Sequence, residues 1–346
     1  MNKYIIALLL LCCLAPVARA DNIQLQDGHP DRYVVVKGDT LWGIAGRFLK
    51  DPWRWPQIWK MNREQIKNPH LIYPGDVVVL DVDSNGQPQL RLLRETITLE
   101  PGTMVEPLEK KPIPTISPGA IAPFLTQPLI VSEEELQQAP SIVGAEGGHV
   151  ALTSGYNIYV DHIEEGGGLN WQIFRKGNAL VDPDTKEQLG FETVYLGDAR
   201  AVRYGDPATI QIVRPKEEVY KGDKLFKMPD TDMNSFVPRA PESDIAGRII
   251  SAYNAIAELG PNSVVIINRG SDDGLAEGEV LAIYRPGTVV PAPASKKGDK
   301  PKPLLLPDER IGLLMVFRAF KRVSYAIIMK AERPVNVLDV VRTPTP

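Results

Sequence analysis

Four histidines, His29, His70, His149 and His162, are all the imidazole this chain possesses, and none falls in an H-x-H or H-E-x-x-H spacing. Zinc hydrolases draw ligands from such pairs, because two rings on one strand or one helix face hold the metal in a fixed geometry. Both cysteines, Cys12 and Cys13, lie in the first twenty residues. With that segment removed, no thiol remains for nucleophilic attack or for a disulfide. Neither G-x-S-x-G nor S-x-x-K occurs. A glycosidase needs only two carboxylates, so composition leaves that class open. Acids such as those of Asp182-Pro183-Asp184 and Asp272-Asp273-Gly274 read instead as turn residues. What stands out is aromatic: Trp42, Trp53, Trp55 and Trp59 fall within eighteen residues of a chain that is 7% aromatic. Side chains of that size either fill the core of a very small domain or line a surface that binds.

The elements around the cluster follow from the spacing. Tyr33-Val34-Val35-Val36 reads as a strand and Lys37-Gly38-Asp39 as the turn after it. Thr40 is a good N-cap for a helix from Leu41 to about Lys50, with Leu41, Ile44, Ala45 and Phe48 on one apolar face. Asp51-Pro52 ends it, and Pro56 suits the first turn of a second helix, from Gln57 to about Arg63. After turns at Asn68-Pro69 and Pro74-Gly75-Asp76, Val77 to Leu80 closes a strand–helix–helix–strand unit.

The first twenty residues have one lysine, an apolar run from Tyr4 to about Leu14, and Ala18-Arg19-Ala20 before Asp21. That is the layout of a signal peptide cleaved after Ala20, too short to span a bilayer. A lipoprotein would use Cys12 or Cys13, but leucine precedes this pair where a small residue is expected. Export without disulfides fits a bacterial periplasm. Cleavage leaves 37 basic side chains against 43 acidic ones, a net charge of −6, which gives no support to nucleic-acid binding.

From residue 83 to 147 the chain is proline-rich and reads as a linker, although Ile121, Phe124, Leu129, Ile130 and Val131 are apolar enough for its second half to lie against a neighbouring domain. The remainder holds an internal repeat. Ile173 to Gly177 corresponds to Ile283 to Gly287, Gly190 to Tyr195 corresponds to Gly312 to Phe317, and Gly222-Asp223 corresponds to Leu338-Asp339. Short β-rich runs broken by Gly, Asp and Pro predict two small sandwiches or barrels, over 148–229 and 245–344. Ile249 to Leu259 has fair helical propensity, but by position in the repeat Arg248 to Tyr253 reads as a strand. Pro291 to Pro307 inserts four lysines between strands and reads as a hairpin tip.

The tryptophan-rich unit resembles the LysM domain. The residues that carry the resemblance are Tyr33-Val34-Val35, Lys37-Gly38-Asp39-Thr40-Leu41-Trp42, Ile44-Ala45, Ile58-Trp59, Asn62 and Asn68-Pro69-x-Leu71-Ile72-Tyr73-Pro74-Gly75-Asp76. The resemblance implies a βααβ fold over 31–82 that binds peptidoglycan or chitin at N-acetylglucosamine. Its groove would lie between Gly38, Asp39, Thr40, Leu41 and Trp42 on one side and Leu71, Ile72, Tyr73, Pro74 and Gly75 on the other. Backbone groups of those loops would meet the acetamido and hydroxyl groups, and apolar side chains the methyl and ring faces. Trp53 and Trp55 read equally as core or as contact residues. Asp31 to Leu80 carries a net charge of +3, which favours a polymer bearing free carboxylates.

Together these features predict a multidomain protein: a small α+β domain, a proline-rich linker and two mainly-β modules. The expected function is non-catalytic, needing neither metal nor other cofactor: anchoring to peptidoglycan while the β-modules brace an envelope assembly such as a pilus or flagellum. The alternative is a cell-wall-remodelling hydrolase, or an activator of one.

Overall fold

A computed structural model describes residues 23–59, 72–83, 87–93, 114–116, 119, 121, 124, 130–149, 152–161, 163, 166–228, 237–253, 258–291 and 303–344. The stretch expected to be a signal peptide, Leu71 and the lysines of the 291–307 insertion lie outside them. No described helix is long and apolar enough to cross a membrane.

In the N-terminal unit β1 (Arg32–Val34) precedes α1 (Leu41–Phe48), a 3-10 turn (Pro52–Arg54) and α2 (Trp55–Trp59). Then come β2 (Val77–Val82) and β3 (Pro88–Leu93), and the three strands form one antiparallel sheet in the order β1-β2-β3. The third strand falls in the stretch that composition reads as linker. It pairs with β2 along its whole length and puts Leu90, fully buried, into the domain core beside Phe48, Trp55, Trp59 and Val78. Trp55 and Trp59 meet edge to face, with centroids 6.3 Å apart.

Next among the described elements come β4 (Ile130–Val131) and α3 (Glu133–Gln138), whose cap is a reciprocal pair between Ser132 and Glu135. Six strands follow: β5 (Ile142–Ala145), β6 (Asn157–Val160), β7 (Asn170–Val181), β8 (Gln188–Arg203), β9 (Ala208–Pro215) and β10 (Lys224–Lys227). They lie in the order β5-β6-β9-β8-β7-β10, and a bridge from Ser141 to Lys224 brings the two ends together.

The last unit repeats this plan. It is a closed barrel of β11 (Ala246–Ala252), β12 (Val264–Ile267), β17 (Ser324–Ala331), β16 (Glu309–Ala319), β13 (Val280–Arg285) and β18 (Val340–Arg342), in that order. Between β13 and β16 the short strands β14 (Val289–Pro291) and β15 (Pro303–Leu305) form a separate hairpin. The strand expected near Arg248 is β11. Its partner in the first copy is β5, which begins before the expected boundary at 148: Ile142 and Ile249 each donate to the carbonyl of the same aspartate, Asp223 or Asp339, of their own module.

One ion pair recurs in both copies. Arg175 grips Asp223 through two nitrogens at 2.9 and 2.8 Å and donates to the Glu218 carbonyl at 2.9 Å. Arg285 grips Asp339 at 2.8 and 3.0 Å and donates to the Pro334 carbonyl at 2.7 Å. Both aspartates are buried, and a bidentate guanidinium satisfies both of their oxygens. The same aspartates close a tight turn, Asp223 accepting the Tyr220 N–H at 2.7 Å and Asp339 the Asn336 N–H at 2.8 Å. Identical turns stand at Val36–Asp39 and Tyr73–Asp76, and with glutamate at Ala276–Glu279. Their third residue needs positive φ, which glycine supplies at Gly38, Gly75, Gly222 and Gly278. The turn at Asp339 has Leu338 there instead, at φ 77°.

The two barrels differ outside. Strands of the second are buried on both faces, as β12 and β16 illustrate, and read as continuous apolar runs. Residues such as Val265, Ile267, Leu281, Leu314 and Val316 fill the interior. The alternate residues Val264, Ile266, Met315, Phe317 and Tyr325 face outward and are covered by Ile116, Ile121, Phe124 and Ile130 of the linker, by Leu180 and Leu189 of the first barrel, and by Trp42 and Trp53. These four linker residues thus pack on a neighbouring domain. The turn between β7 and β8 is pinned to the same barrel: Asn268 donates to Asp182 at 2.8 Å, Arg248 to Asp184 at 2.8 Å and Arg322 to Glu187 at 2.8 Å.

Left-handed backbone costs an L-residue roughly 1–2 kcal/mol, part of which glycine forfeits in chain entropy. Leu338 is half exposed, so its side chain contributes little burial. Leu338→Gly should therefore stabilise the protein by about 0.5–1 kcal/mol, read as a higher midpoint in chemical denaturation.

Candidate functional site

Two loops meet at one edge of the N-terminal domain. The first begins where β1 ends. The Asp39 carboxylate accepts the Val36 N–H at 2.9 Å and the Tyr33 hydroxyl at 3.0 Å, and the Arg47 guanidinium lies 4.4 Å above the Tyr33 ring. Burial, and then the hydrogen bond to Asp39, push the Tyr33 phenol above its ordinary range. Thr40 caps α1 in extended conformation, its Oγ1 accepting the Gly43 N–H at 3.0 Å.

The second loop approaches β2. Asp76 accepts the Tyr73 N–H at 3.0 Å. Gly75 and Asp76 then clasp the start of the first loop: Gly75 N–H donates to the Val35 carbonyl at 2.8 Å, and Val35 N–H donates to the Asp76 carbonyl at 2.9 Å. This pair of bonds brings Gly38–Trp42 and Ile72–Gly75 together although 29 residues lie between them. Gly38 and Gly75 share φ +98°, and a Cβ built on either meets nothing within 4 Å. Their loops are open to solvent.

The expected contact residues do not all face outward. Gly38 and Gly75 are exposed, and Asp39, Thr40, Tyr73 and Pro74 are half-buried. Leu41 and Ile72, 4% and 0% exposed, belong to the domain core, so their side chains are turned away from the surface. Trp42 is buried at 7%, in the cluster that holds Trp53, Ile116 and Ile121 rather than in the domain core. Trp53 and Trp55, whose exposure the sequence left open, are both buried. The four tryptophans thus divide in two: Trp55 and Trp59 inward, Trp42 and Trp53 toward the rest of the chain.

A contact that sequence reasoning missed lies beside them. The Leu41 N–H donates to the Pro114 carbonyl at 3.0 Å, and the Trp42 N–H donates to the Thr115 carbonyl at 3.1 Å. These are first-turn donors of α1, which have no partner inside the helix. Its only sequence signal is Ile113-Pro114-Thr115-Ile116, where proline holds the backbone extended and two isoleucines flank it.

The chemistry available is recognition. Asp39 and Asp76, the acids of the two loops, are committed to turn N–H groups. What remains is backbone, the Tyr73 phenol, the Pro74 ring and two glycines that admit close approach, a set suited to a sugar carrying an amide.

Residues 33–81 match the LysM domain, and the chain carries that domain there. A Bacillus subtilis (strain 168) protein described as the uncharacterized protein YqbP is 44% identical over 55 residues, 13% of this chain and 25% of that protein. The chain thus spans about a quarter of the length of the curated relative it matches.

With no neighbour to clash, Gly75→Val pays only for a β-branched residue in left-handed backbone, about 1–2 kcal/mol. Thr40→Ala removes the cap and costs about 1 kcal/mol. Both losses should appear in urea denaturation without a change in the circular dichroism of the native state.

Proposed function

We propose that residues 33–81 hold this protein to peptidoglycan by binding N-acetylglucosamine units between Gly38–Trp42 and Leu71–Gly75. A LysM domain is a binding domain, and its match here carries the reading. The two loops support it, since they leave backbone, an aromatic ring and glycines at the surface while their carboxylates are spent on turns. The protein as a whole acts without catalysis in the periplasm, exported by its N-terminal segment. Its β-modules brace another component of the envelope, of the kind that builds a pilus or flagellum.

The purified mature protein should co-sediment with peptidoglycan, and soluble N-acetylglucosamine oligomers should compete. A dissociation constant between about 1 μM and 1 mM, roughly −8 to −4 kcal/mol, fits a shallow groove. Tyr73→Ala should weaken binding severalfold while the fold is retained. A protein that stays wholly in the supernatant at low salt sinks the assignment.

Incubation with peptidoglycan, with or without zinc, should release no soluble fragments. Release that disappears on replacing a single carboxylate would make this chain a hydrolase instead.

A further inference from the structure

The two N–H groups that α1 turns toward the groove are already engaged within the chain. Thr115 and Ile116, 4% and 5% exposed, bury themselves against the domain at that point. Trp42 shares its cluster with Ile116 and Ile121, and Ile121 in turn leads to the outer face of the second barrel. The segment crosses the Leu41–Trp42 end of the first loop, while Gly38 earlier in that loop and Gly75 in the second loop stay exposed.

We propose that residues 114–116 are a strap occupying half of the glycan site, and that a glycan chain binds fully only by displacing it. The inference rests on the site proposed above and concerns its regulation. The strap imitates what it excludes. A peptide carbonyl at each N–H does what an acetamido carbonyl does, and Ile116 against Trp42 takes the place of an apolar sugar face. Because the same segment continues onto the second barrel, releasing it also uncovers Trp42 and loosens the link between the wall-binding domain and the β-modules. The glycan and the closed arrangement therefore exclude one another. The affinity measured for the full chain is the intrinsic affinity reduced by the fraction of molecules with the strap off.

The test uses the full mature chain and a soluble N-acetylglucosamine pentamer. Ile116→Asp places a charge in the buried seat and should release the strap, tightening pentamer binding about tenfold by calorimetry. In the unaltered protein, saturating pentamer should raise the amide deuterium exchange of a peptide spanning 114–121. Equal affinity in the two proteins, together with unchanged exchange at 114–121 while Tyr73→Ala still weakens binding, overturns the strap and leaves the glycan site standing. No pentamer binding by either protein removes the glycan site, and the strap with it. Should Ile116→Asp fail to fold, exchange in the unaltered protein decides alone: a rise at 114–121 supports displacement, and no rise refutes it.

Discussion

The outward face of the second barrel is the constraint around which the chain is arranged. Val264, Ile266, Met315, Phe317 and Tyr325 point away from the barrel interior, yet all are buried. An apolar sheet face of this kind cannot be left to water. The chain covers it with three separate pieces: the linker residues Ile116, Ile121, Phe124 and Ile130, the hairpin residues Leu180 and Leu189, and two tryptophans of the LysM domain. Domains that would otherwise hang on a flexible tether are thereby drawn onto a single hub. Phe124 marks the centre of the cover, its ring 4.7 Å from Tyr253 and 6.2 Å from Phe317, while Arg318 donates to its carbonyl.

The polar contacts take up orientation rather than attraction. Arg310 reaches Asp51 at 2.6 Å, and Arg248 and Arg322 reach acids of the β7–β8 turn, all at solvent-facing positions where such pairs contribute little. The Asn268–Asp182 bond is different, since both groups are buried and each would be costly alone. It fixes the angle at which one barrel meets the other. Within each barrel the Arg–Asp grip does the same for strand ends, joining β7 to the turn before β10 and β13 to the turn before β18.

Much of this was legible in the residues. The Gly-Asp turns and the cap at Thr40 are local signals, and each stands where its spacing placed it. Strand β3 was not legible, because Pro88, Gln89 and Arg91 are poor strand formers, and β2 supplied the pairing that decided their conformation. The start of the first barrel was misplaced for a related reason: β5 is short, and its role is set by the distant Asp223 rather than by its own composition. In the two loops that the resemblance singles out, the sequence did not give the facing of Leu41, Ile72 and Trp42. That depends on which neighbour buries them, and for Trp42 the neighbour lies more than seventy residues away. The segment 114–116 looked like one more stretch of proline linker because its partners are backbone N–H groups, which any sequence provides.

Closure of the second barrel joins β11 directly to β18, and so makes its first strand wait for its last. No smaller piece of the module has all its backbone paired. During synthesis the early strands emerge with exposed edges and an apolar surface on both sides, and nothing local can shield them until Val340–Arg342 is available. Contacts so distant along the chain close slowly. The interval before closure is when this protein is most open to strand-to-strand aggregation.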